Sequence, residues 1–158
     1  MPRMCNSYKD CFSDEFCNSL CHFNGGEREK WYGYCKLDHG GQTIKEKNGK
    51  SYYVSPDGGH YMSYFGAQDW CTKHGKKLAP YEMMNSYTMS TDEESYAFCA
   101  VIVNQRAQRS NIPEGSYWLN TGNRGLANDP VFHIGRGWNC KMFASTGCSE
   151  GFKAICSN

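Results

Sequence analysis

Ten cysteines are the residues with the greatest capacity for chemistry in this chain of 158 residues. As thiolates they could bind zinc or act as nucleophiles, and as pairs they could hold loops together. Reducing compartments rarely tolerate so many cysteines unless they bind metal, and ten is an even number. The count therefore favours five disulfide bonds in a secreted or cell-surface protein. Because the N-terminus lacks the apolar run of a signal peptide, we expect the signal or anchor segment to lie outside this chain.

The first five cysteines are crowded into residues 1–40, in the pattern C-x5-C-x5-C-x3-C-x13-C. Few aliphatic residues lie between them, and so short a stretch usually depends on disulfides in place of a hydrophobic core. We expect a loop-rich N-terminal module whose disulfides use Cys5, Cys11, Cys17, Cys21 and Cys35. Zinc is the alternative, because Cys17-x3-Cys21-His22 brings soft ligands together. Paired C-x2-C halves are absent, however, and no metal site is predicted.

The remainder of the chain, residues 41–158, has the pattern of a separate domain with helices. Asn48-Gly49 stands between two extendable runs and predicts a hairpin, because both residues tolerate positive φ. A first helix is predicted from Ser63, which can cap it, to Gly75, which can end it. A second helix is predicted over 90–107, where a capping box precedes an apolar stripe.

Beyond Pro113 the pattern changes to short aromatic or aliphatic runs separated by glycine-containing turns. These runs are SYWLN, PVFHIG, WNCKMF and GFKAICS, and each predicts a strand. The order of a hairpin, two helices and several strands predicts an α+β fold.

The order of these fragments resembles the C-type lectin-like domain over about residues 51–157. The resemblance is carried by AQDWCTKHGKKLA, TDEESYAF, YWLN, the ending FKAICS, and Cys140, Cys148 and Cys156 at two gaps of seven residues. It implies a compact fold with two helices and short antiparallel sheets. It also implies the disulfides Cys71–Cys156 and Cys140–Cys148, so that the three late cysteines are structural rather than reactive.

The pairing that the resemblance implies leaves Cys99 over, together with the five N-terminal cysteines. By arithmetic one of those five, with Cys35 the first candidate, bonds to Cys99 and locks the module onto the domain. A buried free Cys99 is the alternative, because free cysteine often packs as a small hydrophobic residue. Six cysteines allow 15 connectivities, so the sequence leaves the choice open.

Calcium binding is not expected, although many members of that family bind sugars through calcium. Those members carry E-P-N or Q-P-D in a long loop and W-N-D before the third cysteine, and neither motif is present. Only 22 positions separate Trp118 from Cys140, and they contain one carboxylate, Asp129. Calcium takes six to eight oxygen ligands. We therefore expect a compact form that lacks the long loop and needs no cofactor.

The same short region lies where the family carries its ligands, and its residue types suit recognition. Aromatic rings stack on sugars or anchor protein contacts, asparagine and aspartate bind hydroxyl groups, and arginine suits carboxylate or sulfate. The candidate ligand-binding residues are Arg124, Asn128, Asp129, His133, Arg136 and Trp138.

Several function classes are disfavoured by what the sequence lacks. No catalytic motif is present, the net charge of +1 provides no field for nucleic acid, and no run approaches the roughly 18 apolar residues of a membrane helix. We expect a non-enzymatic, adhesin-like recognition protein that binds a glycan or a cell-surface protein without calcium. A structural subunit of a surface assembly, such as a pilus or coat component, is the alternative. A secreted toxin or inhibitor is the less favoured one.

Overall fold

The structure is a computed structural model. It describes residues 3–24, 27–45, 49–56, 61–80, 111–113, 115–120, 129–134, 141–145 and 151–158. Within these ranges it describes only the backbone of residues 22–24, 27, 28, 129–134 and 141–145.

The N-terminal module is a three-stranded antiparallel sheet, so the prediction of a loop-rich module is wrong. Strand β1 spans Met4–Cys5, β2 spans Glu15–Asn24 and β3 spans Glu27–Leu37, and their order in the sheet is β1-β3-β2. A short 3-10 helix, Tyr8–Asp10, lies between β1 and β2. Backbone pairing along β2 and β3 provides the order that the few aliphatic residues could not.

Two disulfides hold this sheet together, and both lie within the module. They join Cys5 to Cys17 and Cys11 to Cys35. Cys35 bonds to Cys11, so Cys35 is not the cysteine that tethers the module to Cys99. The tether itself stays a prediction, because Cys99 lies outside the described residues. Cys21 is also disulfide-bonded, and its partner is none of the other described cysteines.

A second sheet is built by strands of residues 41–158. The strands are β4 Gln42–Lys45, β5 Ser51–Val54, β6 Lys77–Leu78, β7 Gly115–Trp118, β8 Asp129–Ile134, β9 Lys141–Ser145 and β10 Lys153–Ser157. Their order in the sheet is β4-β5-β10-β7-β8-β9, with β6 paired to β10. Strands β10 and β7 run parallel and the other pairs are antiparallel.

Two local predictions for this sheet and its helix are confirmed. Strands β4 and β5 form the hairpin, and Gly49 between them has φ +89°. The helix α1 spans Tyr64–Lys73, where Ser63 caps the start by accepting a hydrogen bond from the Gly66 amide. Gly75, just past the end, has φ +73°, which favours glycine.

The predicted α+β fold with two helices is wrong, because the described residues lie mostly in strands. Among them α1 is the only helix of seven or more residues. The segment proposed for the second helix, 90–107, lies outside the described residues. No helix in the described part of the chain is long and apolar enough to cross a membrane.

One hydrophobic core joins the two sheets through α1. Its fully buried members include Trp70 of α1, Trp118 of β7 and Phe16 of β2, none of which exposes any surface. The disulfide Cys71–Cys156, the pairing that the lectin-like arrangement implies, ties α1 to β10 inside this core. The boundary predicted after residue 40 thus separates two sheets, but Phe16 from the first packs into the core of the second.

Helix α1 also covers the edge of the N-terminal sheet. The Asp69 carboxylate accepts hydrogen bonds from the amides of Tyr8, at 3.0 Å, and Cys17, at 2.8 Å. At the start of the helix, the Ser63 hydroxyl donates to the Ser19 carbonyl. The contacts to Cys17 and Ser19 satisfy backbone groups of β2, which is an edge strand and has no neighbouring strand on that side.

Candidate recognition site

Two of the six ligand-binding residues predicted from the sequence lie among the described residues, both on β8, so the predicted site stays a prediction. Asp129 and His133 lie at the two ends of the pairing between β8 and β9, opposite Ser145 and Lys141 respectively. The remaining predicted residues lie outside the described residues: Arg124, Asn128, Arg136 and Trp138. Cys140 and Cys148 also lie outside them.

An aromatic surface lies on β3, where three side chains form what we call the aromatic ridge: Trp31, Tyr32 and Tyr34. The ring centroids of Trp31 and Tyr32 are 5.2 Å apart, and those of Tyr32 and Tyr34 are 6.1 Å apart. Trp31 exposes 52% of its surface and Tyr34 exposes 39%. The ridge is therefore a continuous row of rings that solvent can reach.

A β-bulge explains why adjacent residues share this row. Ser19 pairs with Gly33 and Cys21 pairs with Lys30, so that Leu20 alone lies opposite both Trp31 and Tyr32. In a regular strand, two consecutive side chains point to opposite faces. The extra residue of a bulge breaks this alternation and redirects a side chain, which places the ring of Trp31 beside that of Tyr32.

Gly33, between the second and third rings, is required by the close approach of β2. A Cβ atom at this position would lie 2.4 Å from the Ser19 Cα and 2.5 Å from the Asn18 carbonyl oxygen. Both are backbone atoms that cannot move aside without separating the strands. The disulfide-bonded Cys35 follows one residue after Tyr34. The backbone that carries the ridge is thus held by the close contact of Gly33 with β2 and by the disulfide of Cys35.

Asp38, the first residue after β3, anchors the end of this strand to α1. Its carboxylate accepts hydrogen bonds from Lys73, at 2.7 Å, His74, at 2.8 Å, and the Trp70 indole, at 2.8 Å. The side chain of Asp38 is only 4% exposed. Burial alone would raise the pKa of Asp38, but the hydrogen bonds from Lys73, the Gly40 amide and Trp70, with the charge of His74, lower it to about 2.

The low pKa of Asp38 predicts a stability loss in acid. Because the folded pKa lies below the ordinary value of 3.8, the carboxylate stabilises the fold above that value, and this contribution is lost as the pH falls towards 2. The difference between the two pKa values corresponds to about 2 kcal/mol in the free energy of unfolding. Urea unfolding measures the free energy of unfolding at pH 5 and at pH 2. Between these pH values wild type should lose about 2 kcal/mol more than the Asp38→Asn variant, which lacks the carboxylate.

Asp14→Asn is the matched control for this measurement, since Asp14 is an exposed carboxylate residue of the same module. Its pH dependence should follow that of wild type. If Asp38→Asn also follows wild type, Asp38 does not anchor the strand in the way described.

The aromatic ridge is suited to binding rather than to bond breaking. Its rings offer apolar faces for stacking, and the two tyrosines add hydroxyl groups for hydrogen bonds. In the same sheet, the Sγ atoms of Cys5, Cys11 and Cys35 lie within 4.8 Å of one another. Each of these sulfurs is in a disulfide and is therefore not a thiolate ligand. The same holds for Cys17 and Cys21 of the zinc alternative.

Sequence reasoning overlooked the ridge, although a signal was present. Gly25-Gly26 separates the runs EFCNSLCHFN and EREKWYGYCKL, and such a pair is a strong two-residue hairpin signal. The run WYGYC is also rich in residues that favour strands. The bulge that brings Trp31 beside Tyr32 has no comparable signal.

The chain matches no protein-family model, no curated protein and no solved structure. The resemblance to the C-type lectin-like domain therefore remains a prediction.

Proposed function

We propose that this protein is a non-enzymatic recognition protein of the extracellular space or cell surface, and that it binds a glycan through the aromatic ridge without calcium. One observation supports the proposal: three neighbouring aromatic rings, two exposed and one half-buried, lie on a sheet that disulfides hold together. Single exposed aromatic residues are common, whereas several that form one contiguous patch mark a surface used for binding. A rigid ridge also loses little conformational entropy when a ligand binds. The several disulfides agree with an oxidising location.

A glycan suits the ridge better than a protein partner does. A sugar ring has an apolar face of C–H groups and a rim of hydroxyl groups, and the ridge offers flat rings with two phenolic hydroxyl groups beside them. The ring centroids lie 5.2 and 6.1 Å apart and adjacent ring planes are inclined at 60° and 84°, so the ridge offers ring faces in different directions to neighbouring sugars. A stable protein interface takes about 800 Å² on each partner, which is far more than three side chains provide.

The test is binding of the oxidised protein to a broad glycan array, with calcium and with chelator, followed by titration of the best glycan. We expect signals that survive chelator. Trp31→Ala should weaken the affinity about tenfold, because the loss of an aromatic stacking contact costs about 1.4 kcal/mol. Isothermal titration measures the change.

Phe12→Ala is the matched control, because Phe12 is an aromatic residue of the same module and is 62% exposed. It is not part of the ridge, and its loss should leave the affinity unchanged. Two results would contradict the proposal: silence across the whole array, or equal affinities of the Trp31→Ala variant and wild type. Signals that disappear in chelator would show that a metal is needed.

A further inference from the structure

A cleft of about 420 Å³ lies where the N-terminal module docks on α1. One wall is the 3-10 helix Tyr8–Asp10 with Ser7 before it, another is α1, and Lys30 of β3 lies at the side. Its volume is in the range of ligand-binding pockets, about 300 to 1,000 Å³, which often lie between structural units. No residue of the predicted site or of the aromatic ridge lines it.

The walls combine aromatic rings with small polar groups. Tyr8 and Phe65 provide ring surface from opposite sides, and Gln68, Thr72 and Ser7 add an amide and two hydroxyl groups. The Gln68 amide nitrogen donates to the Tyr64 hydroxyl and the Thr72 hydroxyl donates to the Gln68 backbone carbonyl. The Gln68 amide oxygen and the Thr72 lone pairs thus remain as acceptors for a ligand with hydroxyl groups.

The cleft contains charges of both signs, and its positive groups have hydrogen-bond donors left for a ligand. The cleft has one carboxylate, Asp69, whose two oxygens already accept the amides of Tyr8 and Cys17. It has two ammonium groups. Lys30 donates to the Asn6 carbonyl and, as an ammonium, retains two further N–H donors. Lys9 makes no side-chain hydrogen bond or ion pair within the described part of the chain.

We infer that this cleft binds an acidic sugar residue, with its carboxylate on Lys9 and Lys30 and its hydroxyl groups on Gln68 and Thr72. The inference follows from three properties together: a volume suited to one or two sugar rings, ring surface beside hydroxyl and amide groups, and two ammonium groups with donors to spare. It goes beyond the proposed function, because the cleft is a second site that requires no contact with the aromatic ridge.

Titration calorimetry with glucuronic acid and with glucose, at low ionic strength, tests the inference. Glucuronic acid should bind at least tenfold more tightly than glucose, and Lys9→Gln combined with Lys30→Gln should remove that advantage. Lys77→Gln is the matched control, because Lys77 is an exposed lysine of β6 outside the cleft. The affinity of the Lys77→Gln variant for glucuronic acid should equal that of wild type.

The two proposals have separate outcomes. Trp31→Ala should leave glucuronic acid binding unchanged, so the cleft can succeed or fail whatever the ridge does. The cleft inference is overturned if glucuronic acid binds no better than glucose, or if the double lysine variant keeps full affinity. It is also overturned if the Lys77→Gln control weakens binding as much as the double variant, because the effect would then come from net charge alone.

Discussion

Replacing Cys71 and Cys156 together by alanine is expected to lower the free energy of unfolding by about 4 kcal/mol. The disulfide joins residues 85 positions apart, and a cross-link that closes a long loop removes much of the entropy of the unfolded chain. Both cysteines are fully buried between α1 and β10, so their packing contacts are lost as well. Denaturant unfolding of the oxidised proteins measures the change.

The pair Cys11→Ala and Cys35→Ala provides the comparison, because that disulfide spans only 24 positions. The same entropy argument expects a loss of about 3 kcal/mol, smaller than for the longer loop. If the shorter bridge proves the more costly of the two, loop closure is not the main source of stability. The strain or packing around Cys35, next to the aromatic ridge, would then account for it.

Phe16→Ala is expected to destabilise the whole molecule by about 3 to 4 kcal/mol. Phe16 lies in β2 of the N-terminal module, exposes no surface, and packs in the same cluster as Trp70 and Trp118. Truncation leaves a cavity at the place where the two sheets meet. Because the cluster is shared, we expect one cooperative unfolding transition, displaced to lower denaturant, for both tryptophan fluorescence and far-UV circular dichroism.

Phe12→Ala again serves as the control, with the same chemical change four residues earlier at an exposed position. Its effect should stay within about 1 kcal/mol, the scale of an exposed contact such as that of the Arg3 guanidinium over the Phe12 ring. Two separate unfolding transitions in the Phe16→Ala variant, of which only the one at the lower denaturant concentration is displaced from wild type, would contradict the shared core. They would show instead that residues 1–40 unfold as a unit of their own.

Local signals in the sequence predicted several elements of the second sheet and its helix correctly. Ser63 and Gly75 bracket α1 because a hydroxyl caps the first amides and a glycine accepts positive φ. Asn48-Gly49 predicted the turn between β4 and β5 for the same kind of reason. These signals work because each depends on a few consecutive residues and on backbone geometry alone.

The N-terminal module shows where such reasoning fails. Its low content of aliphatic residues suggested loops, yet β2 and β3 pair along most of their length. Strand pairing is satisfied by backbone groups that every residue carries, and cross-strand disulfides replace the missing core. A pattern search that requires alternating apolar residues overlooks strands of this kind.

The sequence by itself determined the local turns, the caps of α1 and the even number of cysteines that predicts disulfides. Only the tertiary structure decided that Cys35 bonds to Cys11, that Trp31 stands beside Tyr32, and that Lys9 and Lys30 border one cleft. The physical reason is sequence separation. Caps and turns involve residues a few positions apart. Strand register, disulfide pairing and a cleft between two units depend instead on which distant segments come into contact. Many alternative contacts of this kind are compatible with the same local preferences.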